Sequence, residues 1–244
     1  MSRTRDNHIV PRSYLASWAG FNRKDKIRCR DLKSHDPGKV MLRHAKAICY
    51  VPYYYPQRIE DLLQREIETP ASVLWPNLVN EDIGLASRKI IARFVAYQAV
   101  RSAESIDKLH TLSIFGSGRE NLVIPFKLTE GTDPLVVLGR MRRSLDKVAE
   151  VLVQRNWTVL DFGGNWCVET SDSPVCFGHN EHKLVDGFRP EELIFFPLTP
   201  NRVLQINQSG AFGYLRKEVL PGMSKSINDL VRHWARRYVI LPPR

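Results

Sequence analysis

Trp157-Thr-Val-Leu-Asp-Phe-Gly-Gly-Asn-Trp-Cys-Val-Glu-Thr170 decides the fold, because the texture of the chain changes there. Runs rich in β-branched and aromatic residues flank Gly163-Gly164, and glycines supply the positive φ that a tight hairpin turn requires. The stretch predicts a hairpin, with Leu193–Pro197 and Arg202–Asn207 as further strands joined across Leu198-Thr-Pro-Asn201. A closing helix is predicted from Ser224 to Tyr238. Upstream the periodicity is helical: Gln57 to Glu68, Gly84 to Leu109 and Pro134 to Asn156, the last with Leu135, Leu138, Leu145, Val148 and Leu152 on one side. Gly116-Ser-Gly118 and Thr129 to Pro134 mark a long connection with a short strand.

Nearer the start, His8 to Trp18 reads as an extended segment followed by an amphipathic turn, since Pro11 biases Val10 away from helix. Lys26-Ile-Arg-Cys-Arg-Asp-Leu32 alternates as an exposed strand does, and Asp36-Pro-Gly38 closes it. Pro52 and Pro56 make Tyr50 to Pro56 an ordered loop. The expected architecture is α+β: one domain over 1–244, helix-rich through 156, with an antiparallel sheet of about four strands and a final helix over 157–244.

Lys and Arg number 36 against 26 Asp and Glu, a formal charge of +10. Such an excess favours nucleic acid, phosphorylated ligands or anionic surfaces, although no single basic run dominates. Cys29, Cys49, Cys167 and Cys176 have no Cys-x-x-Cys spacing, so core thiols are expected rather than a zinc site. The first residues lack a signal-peptide core and no apolar stretch is long enough to span a membrane, which predicts a cytoplasmic protein with reduced thiols.

Arg101 is the residue that stands out chemically. On a helical wheel with Ile83 at zero, Ile90, Phe94 and Tyr97 fall within about 40°, and Arg101 falls at the centre of that stripe. Gln98 lies on its edge. A guanidinium aimed at a core must be paired or must face a cavity, because an isolated buried charge costs several kcal/mol or more. Asp172, in Thr170-Ser-Asp-Ser-Pro-Val175, has two readings. It is a turn residue accepting backbone N–H groups, or it is Arg101's partner, a metal ligand or a general base. His8 is held extended by the Ile-Val-Pro that follows, and its imidazole suits a base, a ligand or a phosphate contact as well as simple packing. On the helix after Pro56, Glu66 projects to the apolar side, Glu60 lies on its margin and Glu68 points away, with Thr69-Pro70 ending or kinking the helix.

His8-Ile-Val-Pro-Arg-Ser-Tyr-Leu15, the Tyr-rich segment before Ile59-Glu60 and Ile67-Glu68, Gln98-Ala-Val-Arg101, Thr170-Ser-Asp-Ser-Pro174, Pro197-Leu-Thr-Pro200 and Asn228 together resemble a large family of bacterial and fungal proteins. It is defined by an N-terminal His-x-Val-Pro-x-x-Tyr-Leu motif and a later Ser-Asp-x-Pro motif, and its function is not assigned. The resemblance spans nearly the whole chain. It implies that His8, Glu60, Glu68, Gln98, Arg101, Asp172 and Asn228 form one constellation.

Three functions compete for these residues. In the first, the chain is a metal-dependent nuclease of a bacterial defence or stress system. Acidic residues hold magnesium or manganese, His8 activates water and Arg101 stabilises charge on phosphate. No established nuclease signature and no P-loop accompanies them. In the second, the same groups recognise a small anionic ligand or a partner without catalysis. In the third, they are a buried network that pins the N-terminal segment to the sheet. Access from solvent separates the first two from the third.

Overall fold

A computed structural model of the chain describes residues 6–19, 26–52, 57–80, 84–101, 114–115, 121–122, 134–165, 167–178, 193–207 and 214–243. The strands in chain order are β1 (Asp6–His8), β2 (Lys26–Asp31), β3 (Met41–His44), β4 (Tyr50–Pro52), β5 (Ile114–Phe115), β6 (Asn121–Leu122), β7 (Asn156–Asp161), β8 (Thr170–Ser171), β9 (Cys176–Phe177), β10 (Ile194–Thr199), β11 (Arg202–Asn207), β12 (Tyr214–Glu218) and β13 (Tyr238–Leu241). The α-helices are α1 (Arg12–Leu15), α2 (Gln57–Leu63), α3 (Thr69–Asn80), α4 (Leu85–Arg101), α5 (Pro134–Val153) and α6 (Met223–Trp234). The class is α+β, as the change of texture at Asn156 predicts.

Two sheets position the rest. One has the order β12-β7-β11-β10-β9, antiparallel except for the parallel β12 and β7 pair. The other has the order β3-β2-β13-β8 and is antiparallel throughout. The expected hairpin at Gly163-Gly164 does not form. Gly163 does adopt φ +62°, and its N–H is capped by the Asp161 carboxylate at 2.9 Å. Both edges of β7 are already occupied, however, by β11 and β12. The second arm instead sends the N–H groups of Cys167 and Val168 to the Pro200 carbonyl, at 2.9 and 2.8 Å, and continues into β8 of the other sheet. The predicted closing helix also stops early, at Trp234, and Tyr238-Val-Ile-Leu241 becomes a strand between β2 and β8. Its β-branched residues suit that place better than a helix end.

The helical part departs from expectation at Pro70. The helix begun at Gln57 runs on through Asn80, with a π turn at Gln64–Glu68 joining α2 to α3. Proline removes an N–H and its ring crowds the carbonyl four residues back. Here the Thr69 N–H reaches the Gln64 carbonyl five residues back, which opens the ladder just before Pro70. Beyond it, α4 contacts α3 and the π turn on one side and α5 on another. It is therefore buried almost all round from Ile91 to Ala99, not along a single stripe, and only Arg93 in that run escapes, pairing with Asp146 of α5 at 2.7 Å. Helix α5 keeps the predicted pattern, burying Leu145, Val148, Ala149, Leu152 and Val153.

The larger of two apolar core clusters draws on residues from Ile9 to Ile240, and the smaller packs α6 against β7 and β11 through Leu160, Val203, Ile227 and Val231. Cys29, Cys49 and Cys176 are buried and Cys167 is half-buried, all as free thiols. Among the described residues no helix is long and apolar enough to cross a membrane.

Candidate functional site

Tyr14 is where the separated sequence motifs meet. Its phenol donates to the Pro197 carbonyl at 2.8 Å and lies 2.6 Å from the Thr170 hydroxyl. A phenol has one proton, and a carbonyl can only accept, so Thr170 is the donor in the second bond. Burial pushes the phenol well above its usual range, which keeps that proton in place. One side chain thus ties the His-x-Val-Pro-x-x-Tyr-Leu segment to the Thr-Ser-Asp-Ser-Pro turn and to the Pro-Leu-Thr-Pro strand end. Its ring packs on Trp18, Trp75 and Phe196, with centroids 5.2, 5.5 and 5.3 Å away. Phe94 completes the aromatic cluster, 5.8 Å from Trp75 and 6.1 Å from Phe196.

Against this cluster lies a cleft of about 140 Å³ whose lining includes Ser13, Tyr14, Glu68, Ser72, Trp75 and Phe94. Ser13 is exposed and Glu68 and Ser72 are half-buried, so the cleft reaches solvent. Glu68 faces it because of the π turn. The regular wheel points this side chain away from the apolar side, but the extra residue in the turn shifts everything after it by about 100°. The carboxylate therefore joins the face carrying Ala71 and Trp75.

Two polar groups near the cleft have no hydrogen-bond partner among the described residues. The indole N–H of Trp75 is one, and both ends of the Gln98 carboxamide are the other. Gln98 is only 1 % exposed and follows Phe94 by one helical turn, on the same face of α4. Orphaned buried groups cost about 1–3 kcal/mol each and are rare enough that a functional reason is worth seeking.

The remaining predicted residues fall in two sets. Glu60 is half-buried on α2, upstream of Glu68 on the same rod. Arg101 is the last residue of α4, a helix that packs on both α3 and the π turn. His8 ends β1, paired with Tyr50 of β4. The side chains of His8 and Arg101 lie outside the described residues. Glu66 is half-buried and 3.6 Å from the exposed Arg65. Of the expected residues, Glu68 lines the cleft, while Glu60 on α2 and Gln98 on α4 belong to the elements that flank it.

Asp172 belongs to the second set. Its carboxylate accepts the N–H groups of Arg236, Arg237 and Tyr238 at 2.9, 2.9 and 3.2 Å, and its own N–H bonds the Tyr238 carbonyl at 3.1 Å. That is the turn role anticipated for it, applied across the sheet rather than within its own loop. Burial lifts this carboxyl above its usual value despite the bonds, because removing the charge from water outweighs them. Asn228 works in the same manner, accepting from the Glu169 N–H at 2.9 Å and donating to the Cys167 carbonyl at 2.8 Å. Beside it, Arg232 forks onto both Glu169 oxygens at 2.7 Å. Cys49 supplies a further constraint. It holds φ +59°, a left-handed conformation rare for a side-chain-bearing residue, and its carbonyl accepts the Ile9 N–H at 2.7 Å. Burial pushes its thiol up, and the Asp172 charge adds to that.

Tyr14 and Trp75 were not among the residues expected to form a site. Tyr14 stands in the opening motif and could have been found there, whereas Trp75 lies on a helix masked by Pro70 and Pro76. Among the described residues no three His, Cys, Asp or Glu side chains gather closely enough to hold a metal ion. Comparison with curated proteins and with solved structures gives no match. Residues 6–244 do match the family described as "Protein of unknown function (DUF4238)", and the chain belongs to that family.

Proposed function

We propose that the chain is an enzyme acting on phosphodiester bonds of nucleic acid, with its site at the cleft beside the π turn. The observation that carries this reading is a cleft open to solvent whose lining brings Glu68 of the π turn together with Phe94 of α4, the helix that carries Gln98 and Arg101. A purely structural network has no need of such an opening. The formal charge of +10 supplies the attraction for a polyanion. Acidic residues of the rod, Glu60 first, are the hard oxygen donors that would hold magnesium or manganese, which neutralises charge on phosphate, and Glu68 faces the substrate in the cleft. His8 is the base and Arg101 the group that meets the phosphate.

The test is incubation of the purified chain with short RNA and DNA in magnesium and in manganese, beside His8→Ala and Glu68→Ala. Cleavage by the wild type, with both variants at least about 100-fold slower and unchanged in melting temperature, supports the reading. Intact substrates under both metals overturn it. A second reading, binding without catalysis, is favoured by the lack of any three-residue metal-ligating group among the described residues. Saturable binding of a nucleotide with no turnover would establish that one instead.

A further inference from the structure

We infer that the cleft is a base-recognition pocket for a single-ring nucleobase bearing an exocyclic amino group, of which cytosine is the natural case. This rests on the reading of the site as one for nucleic acid, and it names which part of the substrate the cleft takes. Size is the first argument. A cavity of about 150 Å³ holds one benzene-sized ring, and this one measures about 140 Å³. A pyrimidine ring fits within it, whereas the second ring of a purine would have to project through the opening to solvent, where it gains no wall contact.

The second argument is the wall itself. Tyr14, Trp75 and Phe94 line the cleft, and they are packed on each other and on Phe196 with centroids 5.3 to 6.1 Å apart. That packing leaves no slot between them, so a ligand ring lies against a rigid aromatic surface rather than being sandwiched. Bases stack on such surfaces without regard to sequence. Selection therefore falls to the polar rim, which is Glu68 with the hydroxyls of Ser13 and Ser72. The Ser72 hydroxyl already donates its proton to the Thr69 carbonyl at 2.8 Å, which leaves its oxygen as an acceptor. The charged member of that rim, the Glu68 carboxylate, accepts only, so it calls for a donor on the ligand, while the Ser13 hydroxyl and the Trp75 N–H are left to meet ligand acceptors. A carboxylate accepts from the cytosine amino group, and its two oxygens leave room for this bond alongside a protein neighbour. Uracil offers a carbonyl oxygen at that ring position, which a carboxylate repels.

The experiment separates this inference from the proposed activity by measuring binding in EDTA, where no metal-dependent turnover occurs. Calorimetric titration of the full chain with cytidine, CMP, UMP, AMP and ribose 5-phosphate is the readout. Cytidine and CMP should saturate, with UMP and AMP at least about tenfold weaker, and Glu68→Ala should lose at least about tenfold for CMP. Because the Glu68 carboxylate also has a protein neighbour, Glu68→Gln, which keeps an oxygen acceptor in place, is the control: it should melt within about 2 °C of wild type and still bind CMP more weakly. AMP binding as well as CMP, ribose 5-phosphate binding as well as CMP, or displacement of cytidine by equimolar tetramethylammonium would each overturn the inference. So would cleavage of nucleic acid by a chain that binds no cytidine. Cytidine binding without cleavage would overturn the proposed activity and leave this inference standing.

Discussion

Replacing Asp172 by alanine distinguishes a staple from a catalytic carboxylate. The side chain accepts three backbone N–H groups from Arg236, Arg237 and Tyr238. Hydrogen bonds to a charged group contribute about 1.5–3 kcal/mol each, which sets a gross loss of roughly 5–9 kcal/mol. Two effects reduce it. The raised carboxyl pKa means that burying the charge already offsets more than these bonds return, and Arg237 is exposed, so water reaches part of the stranded turn. The net loss is then about 3 kcal/mol, at the low end for removal of one partner from a buried ionic contact. For a chain of this size that is a fall in melting temperature of about 6–12 °C. Asp172→Asn keeps the acceptor for Arg236 but points an amide N–H₂ at the other two donors, so it should fall nearly as far. Thermal melts followed by circular dichroism make the measurement. A melting temperature within about 2 °C of wild type, with activity lost, would refute the staple and return Asp172 to the site.

Gln98→Leu removes two orphaned polar ends from a position 1 % exposed, so it should stabilise the chain by about 1 kcal/mol in a thermal melt, and a fall in melting temperature would show that the carboxamide is not orphaned. Pro70→Ala restores an N–H that can bond the Glu66 carbonyl, so the π turn should close to a regular α turn. Melting should hold or rise, and CMP binding should drop at least about tenfold as Glu68 rotates by about 100° away from the cleft. Asp31 gives a pH signature. Burial pushes its carboxyl up, but the Arg237 hydrogen bonds, the Lys33 N–H and the charges of Arg237 and Arg43 outweigh this and hold it below 3.8. Its stabilising contribution is therefore complete above pH 3.8 and is lost as pH falls through the lower folded value. Melts of wild type and Asp31→Asn should differ most at neutral pH and converge in acid, and a constant gap would contradict the assignment. Asp172 has the opposite sign, since its raised folded value makes its contribution largest below 3.8 and smaller once pH rises through that value.

Periodicity made much of this fold legible. Alternation in Lys26 to Asp31 buries Ile27, Cys29 and Asp31 and turns Lys26, Arg28 and Arg30 outward, as a strand with one covered face requires. Pairing was less accessible, because the residues that decide it lie elsewhere in the chain. Nothing in Asn165 to Thr170 announces that the edges of β7 are taken by Ile206 and Tyr214, the register partners of Trp157. The tertiary context therefore overrode a good local turn signal. On α4 burial extends beyond the expected stripe, which does include the buried Phe94 and Tyr97. A helix clasped between two neighbours buries several faces, so the place of Arg101 on one wheel could not by itself mark it as unusual.

The site residues divide along the same physical line. Those whose role is to bond backbone across the molecule, Asp172 and Asn228, could be identified by type but not by partner, since the turn at Arg236 to Tyr238 is far along the chain. The direction of Glu68 depends on what the helix does at Thr69-Pro70, which a wheel of constant pitch leaves open. A proline inside a helix that goes on past it demands a local widening, and a widening rotates every later side chain relative to every earlier one. Thr69-Pro70 announces an end or a kink by residue type alone, and the chain instead makes a phase shift and continues as α3. That shift carries Glu68, Ala71, Ser72 and Trp75 onto one wall. The costly π turn would be removed by a single Pro70→Ala change if the chain gained nothing from it. Its coincidence with a wall that joins a carboxylate to the aromatic cluster is why the cleft, rather than the Asp172 staple, is where function should be sought.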